Sequence, residues 1–410
     1  VKTKCAWLVL IGVVLALSLP GPVRGQEAER RYVKRTLYDF DDDLVTGSLN
    51  GAYVDGEFKL GTTRMQRANR LAAEILEHRM RKRRPDDLKR IRRAAAADVI
   101  VVQGTFDRVE DVLRAVKVKH VVIPARLVDR VPLMSLQTVM VNCPGELSAK
   151  AIAKLRRFVK TGGYLVTTDW ALAALEKITP GFVSRGGRNT RNDVVRVHVH
   201  DGADPVLSHV LASQDHPRWW LEAGSYPIRI LDRKRVKVLI SSKEMAERYG
   251  HSPVAVTFRY DDGRVLHMTS HFYLQQAKMK AAREKARGSA FAASAGVDGK
   301  TLGRLKRRGL DKVEAGALNS AYSMQQVTAN MLVAKAKDNL RLLERFPQRA
   351  RRSFVLRRSP GPKAAALAGG AVDKDYLLRI VAREGGRVKV RDLFGREGWT
   401  EEANLVRRKP

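Results

Sequence analysis

Between residues 94 and 276, short apolar runs rich in β-branched side chains alternate with stretches whose apolar residues recur at helical spacing. Val99-Ile100-Val101-Val102, preceded by Asp98, reads as a buried strand. His120-Val121-Val122-Ile123 is a second and Thr138-Val139-Met140-Val141-Asn142 a third. Between the first two, residues 107–116 read as a helix capped by Asp107. Ser148 opens a helix with Ile152, Leu155, Phe158 and Val159 on its apolar side, ending at Gly162-Gly163. Tyr164-Leu165-Val166-Thr167-Thr168 then forms a strand that runs straight into Asp169-Trp170 and another helix. Such alternation predicts a parallel sheet covered on both faces. The runs at 194–200, 236–240, 254–260 and 265–269 extend it, some of them antiparallel.

The flanks differ in pattern. Residues 26–93 read as a lead-in, with Leu71, Ile75, Leu76 and Met80 predicting a helix over 64–80 and a solvated basic end at 79–84. The acidic run Asp39-Phe40-Asp41-Asp42-Asp43 resembles a calcium loop, but Leu44 stands where that loop needs Gly and Asn50 where it needs Glu. A solvated loop is expected there. Residues 277–352 begin with a stretch (278–310) rich in Ala, Gly, Lys and Arg, which lacks apolar periodicity and predicts a flexible basic segment. Leu318, Tyr322, Val327, Met331, Leu340 and Leu343 then predict one or two helices over 315–346, packed back on the sheet domain. From 353 to 410, short strands, the Val388/Val390 alternation and a Gly-bearing turn predict a small β-barrel.

Composition adds a compartment. The 410 residues are 44% hydrophobic and 29% charged, which excludes a disordered chain, a collagen-like repeat and a polytopic membrane protein. Two cysteines exclude a disulfide scaffold and a structural zinc site built on thiolates. Lys2 and Lys4 precede a 14-residue apolar run that Pro20 breaks, and Val23-Arg24-Gly25 offers small residues for cleavage. A secretory signal over 1–25 is expected, since a bilayer span needs ~20 residues. Export to the periplasm or cell envelope follows, with membrane contact only through an uncleaved signal. The net charge is +34, and residues 277–410 carry 31 basic against 13 acidic side chains. In an exported protein such charge points to cell-wall or other anionic envelope polymers, or to an acidic protein partner. Nucleic acid is favoured by charge alone, and no binding motif supports it.

Two resemblances follow from these residues. Val139-Met140-Val141-Asn142-Cys143-Pro144-Gly145, the helix after it and Phe158-Val159-Lys160-Thr161-Gly162-Gly163-Tyr164-Leu165 resemble class I glutamine amidotransferase-like domains, in particular their trehalose-utilisation-like branches. Pro253-Val254-Ala255-Val256 and residues 263–271 are similar to that group's last hairpin. The resemblance spans 94–276 and implies a three-layer flavodoxin-like α/β fold with a nucleophilic Cys at a strand-to-helix elbow. Here the elbow reads Thr167-Thr168-Asp169-Trp170, without a thiol. Cys143 closes an earlier strand, and no acidic residue follows His271 to complete a triad. Glutamine hydrolysis by that mechanism is not expected. Residues 353–407 are similar to a bacterial SH3 domain through Phe354-Val355-Leu356-Arg357, Tyr376-Leu377-Leu378-Arg379-Ile380-Val381, Gly385-Gly386 and Gly398-Trp399. That likeness implies cell-wall targeting. Arg387 stands where many members have Trp, and Thr400 where they have an apolar residue.

Candidate sites remain few. Asp169 and His271, both expected at the carboxyl edge of the sheet, could orient a water for general-base work. The plainer reading has Asp169 cap its helix and His271 pack on the sheet edge. His198 and His200 alternate on a strand near Asp201 and Asp204, as two metal ligands would, without a third that spacing can name. Tyr376 and Trp399 are candidates to line a ligand groove in the barrel. No cofactor is expected. The function expected is non-catalytic binding or scaffolding in the cell envelope, and the alternative is a hydrolase of amides or carbohydrates using Asp169 and His271.

Overall fold

The computed structural model describes residues 63–200, 204–208, 210, 218–221, 224–271 and 285–407. The expected signal over 1–25, the acidic run at 39–43 and Asp201 lie outside the described residues.

In chain order, α1 (Thr63–Arg83) and α2 (Pro85–Arg93) lead into β1 (Val99–Val102), α3 (Val109–Ala115), β2 (Val121–Ile123), β3 (Thr138–Val141), α4 (Ala149–Lys160), β4 (Tyr164–Thr168) and α5 (Leu172–Ile178). Short strands follow: β5 (Val183–Arg185), β6 (Asp193–Arg196), β7 (His198–Val199), β8 (Arg218–Leu221) and β9 (Ile228–Ile230). Then come β10 (Lys237–Ser241), α6 (Lys243–Tyr249), β11 (Pro253–Tyr260) and β12 (Gly263–Met268). The main sheet has eight strands in the order β2-β1-β3-β4-β12-β11-β10-β7. Strands β2 to β12 are parallel, while β11, β10 and β7 continue the sheet antiparallel. The parallel order 2-1-3-4, with β12 as the fifth strand, is the flavodoxin-like order.

Alternate side chains along each central strand enter different cores. Val99, Val101, Met140, Tyr164, Val166, Leu266 and Met268 pack with α1 and α3 on one face. Ile100, Val102, Val139, Val141, Leu165 and Val265 pack with α4 and α5 on the other. This is the period-2 consequence of a pleat buried on both sides, and it explains why the strands read as unbroken apolar runs. The helices after β1 and β3 thus lie on opposite faces, which opens a crevice at the carboxyl ends of those two strands.

Beyond β12, α7 (Gly288–Ser294) and α8 (Gly299–Arg307) precede one long helix, α9 (Ala315–Arg345). The two short helices occupy much of the stretch expected to be flexible. Besides Gly288 they bury only Phe291, Ala292 and Leu305, too few to register as periodicity. Asp298 caps the second by accepting from the Thr301 N–H at 2.8 Å. Helix α9 packs along α1 and fills the first core with Leu318, Tyr322, Val327 and Met331. The apolar side of α1 therefore belongs to the core of the sheet domain.

Two local expectations need correction. Asp107 does not cap α3, because its Oδ2 accepts from the Thr168 hydroxyl at 2.8 Å, and Arg108 takes the cap position. The run at 194–200 joins the main sheet only through β7, since β6 turns away to pair with β8.

The C-terminal unit comprises β13 (Gln348–Ala350), β14 (Phe354–Arg357), β15 (Ala366–Val372), β16 (Leu377–Glu384), β17 (Arg387–Asp392), β18 (Glu397–Glu401) and β19 (Leu405–Arg407). They form one antiparallel sheet in the order β15-β14-β18-β17-β16-β13-β19. Strands β15 and β19 are its edges, and no pairing among the described residues closes it into the expected barrel. Leu356, Leu378, Val388 and Val390 form its core. A small apolar seam of Leu342, Phe346 and Leu377, flanked by Leu136, Leu343 and Leu393, joins it to the end of α9.

Candidate functional site

Strand β4 carries the chain to the carboxyl edge and is tied on both sides there. The Thr167 hydroxyl lies 2.8 Å from Nδ1 of His267 on β12. The Thr168 hydroxyl donates to Asp107, beyond β1. The next residue, Asp169, has φ +47°. That left-handed backbone costs a residue with a Cβ roughly 1–2 kcal/mol, and such outliers gather at functional sites. It is the sharp elbow through which β4 turns toward α5.

The elbow sets the Asp169 carboxylate inside the sheet edge. Its Oδ1 accepts the Tyr226 N–H at 3.3 Å. Its Oδ2 lies 3.2 Å from Nε2 of His271, just past β12, and 3.9 Å from Sγ of Cys143, just past β3. Asp169 thus does not cap the following helix. The loop after β1 packs on the Cys143 backbone through Gly104, where a Cβ would meet the Cys143 carbonyl oxygen at 2.1 Å. Burial pushes the Cys143 thiol up, a hydrogen bond with His271 opposes this in part, and the neighbouring Asp169 carboxylate adds to the rise. Nucleophilic cysteines have depressed values instead.

The expected pair is therefore assembled, and it is nearly closed off: the side chains of Asp169 and His271 are 3% and 8% exposed. An aromatic wall stands outside it. Trp170 donates from Nε1 to the Gly224 carbonyl at 2.7 Å, meets the edge of Phe106 at 5.2 Å and stacks on Tyr226 at 6.0 Å. Tyr226 also borders a cavity of about 680 Å³, which Glu176, Arg185, Arg229 and His251 help to line. The Arg185 guanidinium sits 5.3 Å over the Tyr226 ring.

The other candidates are placed differently. The rings of His198 and His200 are 4.8 Å apart, but His200 Nε2 is 2.7 Å from the Ser241 hydroxyl. Asp204, their expected companion, accepts from Lys237 at 2.7 Å and from the Val206 N–H at 2.9 Å. Burial, then the charge of His198, lowers the His200 pKa. Trp399 is buried in β18 between Arg357 and Lys389. Tyr376 is half-buried, with its hydroxyl against Arg157 of α4.

Cys143 is the site residue that sequence reasoning set aside. Its signal is register: β3 pairs with β4 in parallel, Val141 beside Thr167. Two residues further on, Cys143 therefore falls beside Asp169. Sequence pattern finds strands without aligning them, so this adjacency stays hidden until the sheet is built.

No protein family matches the chain, and no curated protein does. Among solved structures it is similar to a glutamine amidotransferase of Thermotoga maritima, at 10% identity over 60% of this chain and 100% of that one, with a TM-score of 0.36. A ThuA-like protein of Bacteroides uniformis is 12% identical over 42% and 80%, with a TM-score of 0.32. An exo-β-1,4-mannosidase of an Opitutaceae bacterium is 11% identical over 55% of this chain, with a TM-score of 0.30, and the match spans 35% of its length. These likenesses carry no activity across. The fold rests on strand order.

Proposed function

We propose that the chain is an exported, non-catalytic protein of the cell envelope that binds or scaffolds. In this reading the α/β domain is of the class I glutamine amidotransferase-like kind without its nucleophile, and the C-terminal sheet is an SH3-like unit that holds the protein to the cell wall or another anionic polymer. One observation carries it. Arg351, Arg358, Lys363 and Arg379 are exposed and enter no ion pair among the described residues, while Arg383, Arg387, Arg391 and Arg396 are each matched by a carboxylate. Unmatched surface cations are what a polyanion would meet.

The test is co-sedimentation of the full chain with purified peptidoglycan at physiological salt. Capture is expected, weakened at least about tenfold when the four residues become Gln, which corresponds to ~1.4 kcal/mol. Failure of the wild type to sediment, or equal capture of the variant, ends this reading. Capture that disappears at 1 M salt, where screening acts within ~3 Å, identifies charge as its source.

A second reading has its own observation, the 3.2 Å approach of His271 to Asp169 at a strained elbow. In it, the pair activates a water for hydrolysis of an amide or a carbohydrate. A general base must touch its water, so the aromatic wall would have to open. Turnover of model amides or glycosides that Asp169→Asn abolishes supports it, and turnover unchanged in that variant ends it.

A further inference from the structure

Three donors of different chemistry converge from three different loops of the sheet edge. They are Cys143 Sγ after β3, Asp169 Oδ2 at the elbow and His271 Nε2 after β12, all buried and all within 4.8 Å of one another. The sulfur–oxygen and nitrogen–oxygen separations are 3.9 and 3.2 Å. Around a tetrahedral ion with bonds of ~2.0–2.3 Å, donors stand roughly 3.3–3.8 Å apart. Side-chain shifts below about 1 Å would therefore bring all three onto one ion.

The donor set narrows the ion. A sulfur and an imidazole suit zinc and its first-row neighbours, whereas magnesium and calcium take oxygen. Three protein ligands leave a fourth position for water or a ligand atom. Outer contacts that would orient such ligands are present: the Tyr226 backbone N–H fixes the other oxygen of Asp169, and the backbone N–H of Trp170 faces the Cys143 sulfur. One cysteine in a mixed set differs from a site built on several thiolates.

We propose that Cys143, Asp169 and His271 form a mononuclear site for zinc or a similar divalent transition metal. The proposal is independent of polymer binding; it shares Asp169 and His271 with the hydrolase reading, and metal titration is a readout separate from turnover.

The experiment is titration of the chelator-treated full chain with Zn²⁺, and with Co²⁺ as a spectroscopic probe. One equivalent is expected to bind, and Co²⁺ should show tetrahedral d–d bands with a sulfur-to-cobalt charge-transfer band. Cys143→Ser, close in size, keeps the fold and removes the charge-transfer band. His271→Gln weakens binding by more than the ~10–100-fold typical of an outer contact. The double variant His198→Gln/His200→Gln leaves both readouts unchanged. Failure of the wild type to bind, or binding that survives Cys143→Ser and His271→Gln but not the His198/His200 change, overturns the assignment.

Discussion

His267 and Lys335 are ionisable side chains held in the sheet domain's interior, and each has a price in protons. Burial pulls His267 down to about 3. Lys335 donates to the carbonyls of Ser135 and Gly162 at 2.6 and 2.7 Å, and burial brings it down to about 7. Both values lie below those of the unfolded chain, near 6.5 and 10.5. The folded state therefore binds fewer protons than the unfolded one from about pH 3 to 6.5 and again from about 7 to 10.5. Stability rises with pH through each window and falls as pH drops. In urea titrations across pH, His267→Gln should flatten the acid limb and Lys335→Met the alkaline one; a wild-type slope in either variant's own window refutes that assignment. At the elbow, φ +47° inverts the usual order of substitutions. Asp169→Ala is expected to cost about 1–3 kcal/mol through the stranded partners of the carboxylate. Asp169→Gly should cost about 1 kcal/mol less than Asp169→Ala, because glycine accepts this backbone freely. Asp169 is legible because it stands between a strand-like run and a helical pattern, and His271 because it is an ionisable side chain two residues past the last such run. Cys143 and Tyr226 are not, since their part depends on register and on a loop remote in sequence.

Helix α9 runs 31 residues, about 46 Å at 1.5 Å per residue. Its periodic apolar residues are readable, but the polar ladder inside it is not. Gln325, Gln326, Thr328 and Asn330 are buried because α1 covers a side that a surface helix would leave wet. Arg79 donates to Tyr322, Tyr322 to Gln326, Gln326 to Asn330, and Asn330 to the carbonyls of Val206 and Ser208. Nothing in hydrophobic spacing announces such a chain of hydrogen bonds. Asn330→Ala is expected to destabilise by about 1–3 kcal/mol through unsatisfied buried groups. Leu340→Ala, at a position 43% exposed, should stay within about 0.5 kcal/mol. Equal midpoints in urea for the two variants would show the ladder to be energetically idle.

The whole molecule is held by unequal joints. The sheet domain has two deep cores, while the C-terminal sheet meets it through the Leu342, Phe346 and Leu377 seam and through Arg157, which lies 4.9 Å over the Phe394 ring. Phe346→Ala with Leu377→Ala should speed hydrogen exchange in β13 and β16 while β1 and β4 keep wild-type protection. Equal acceleration in all four strands would mean that the two units unfold as one. The main sheet has a quieter effect on how this chain can change over generations. Val99 and Val101 answer to α1 and α3, whereas Ile100 and Val102 answer to α4 and α5. The sheet is a partition, and a volume lost on one side cannot be refilled from the other. Compensating substitutions along β1, β3 and β4 should therefore fall into two sets by the parity of their positions, each set drifting on its own.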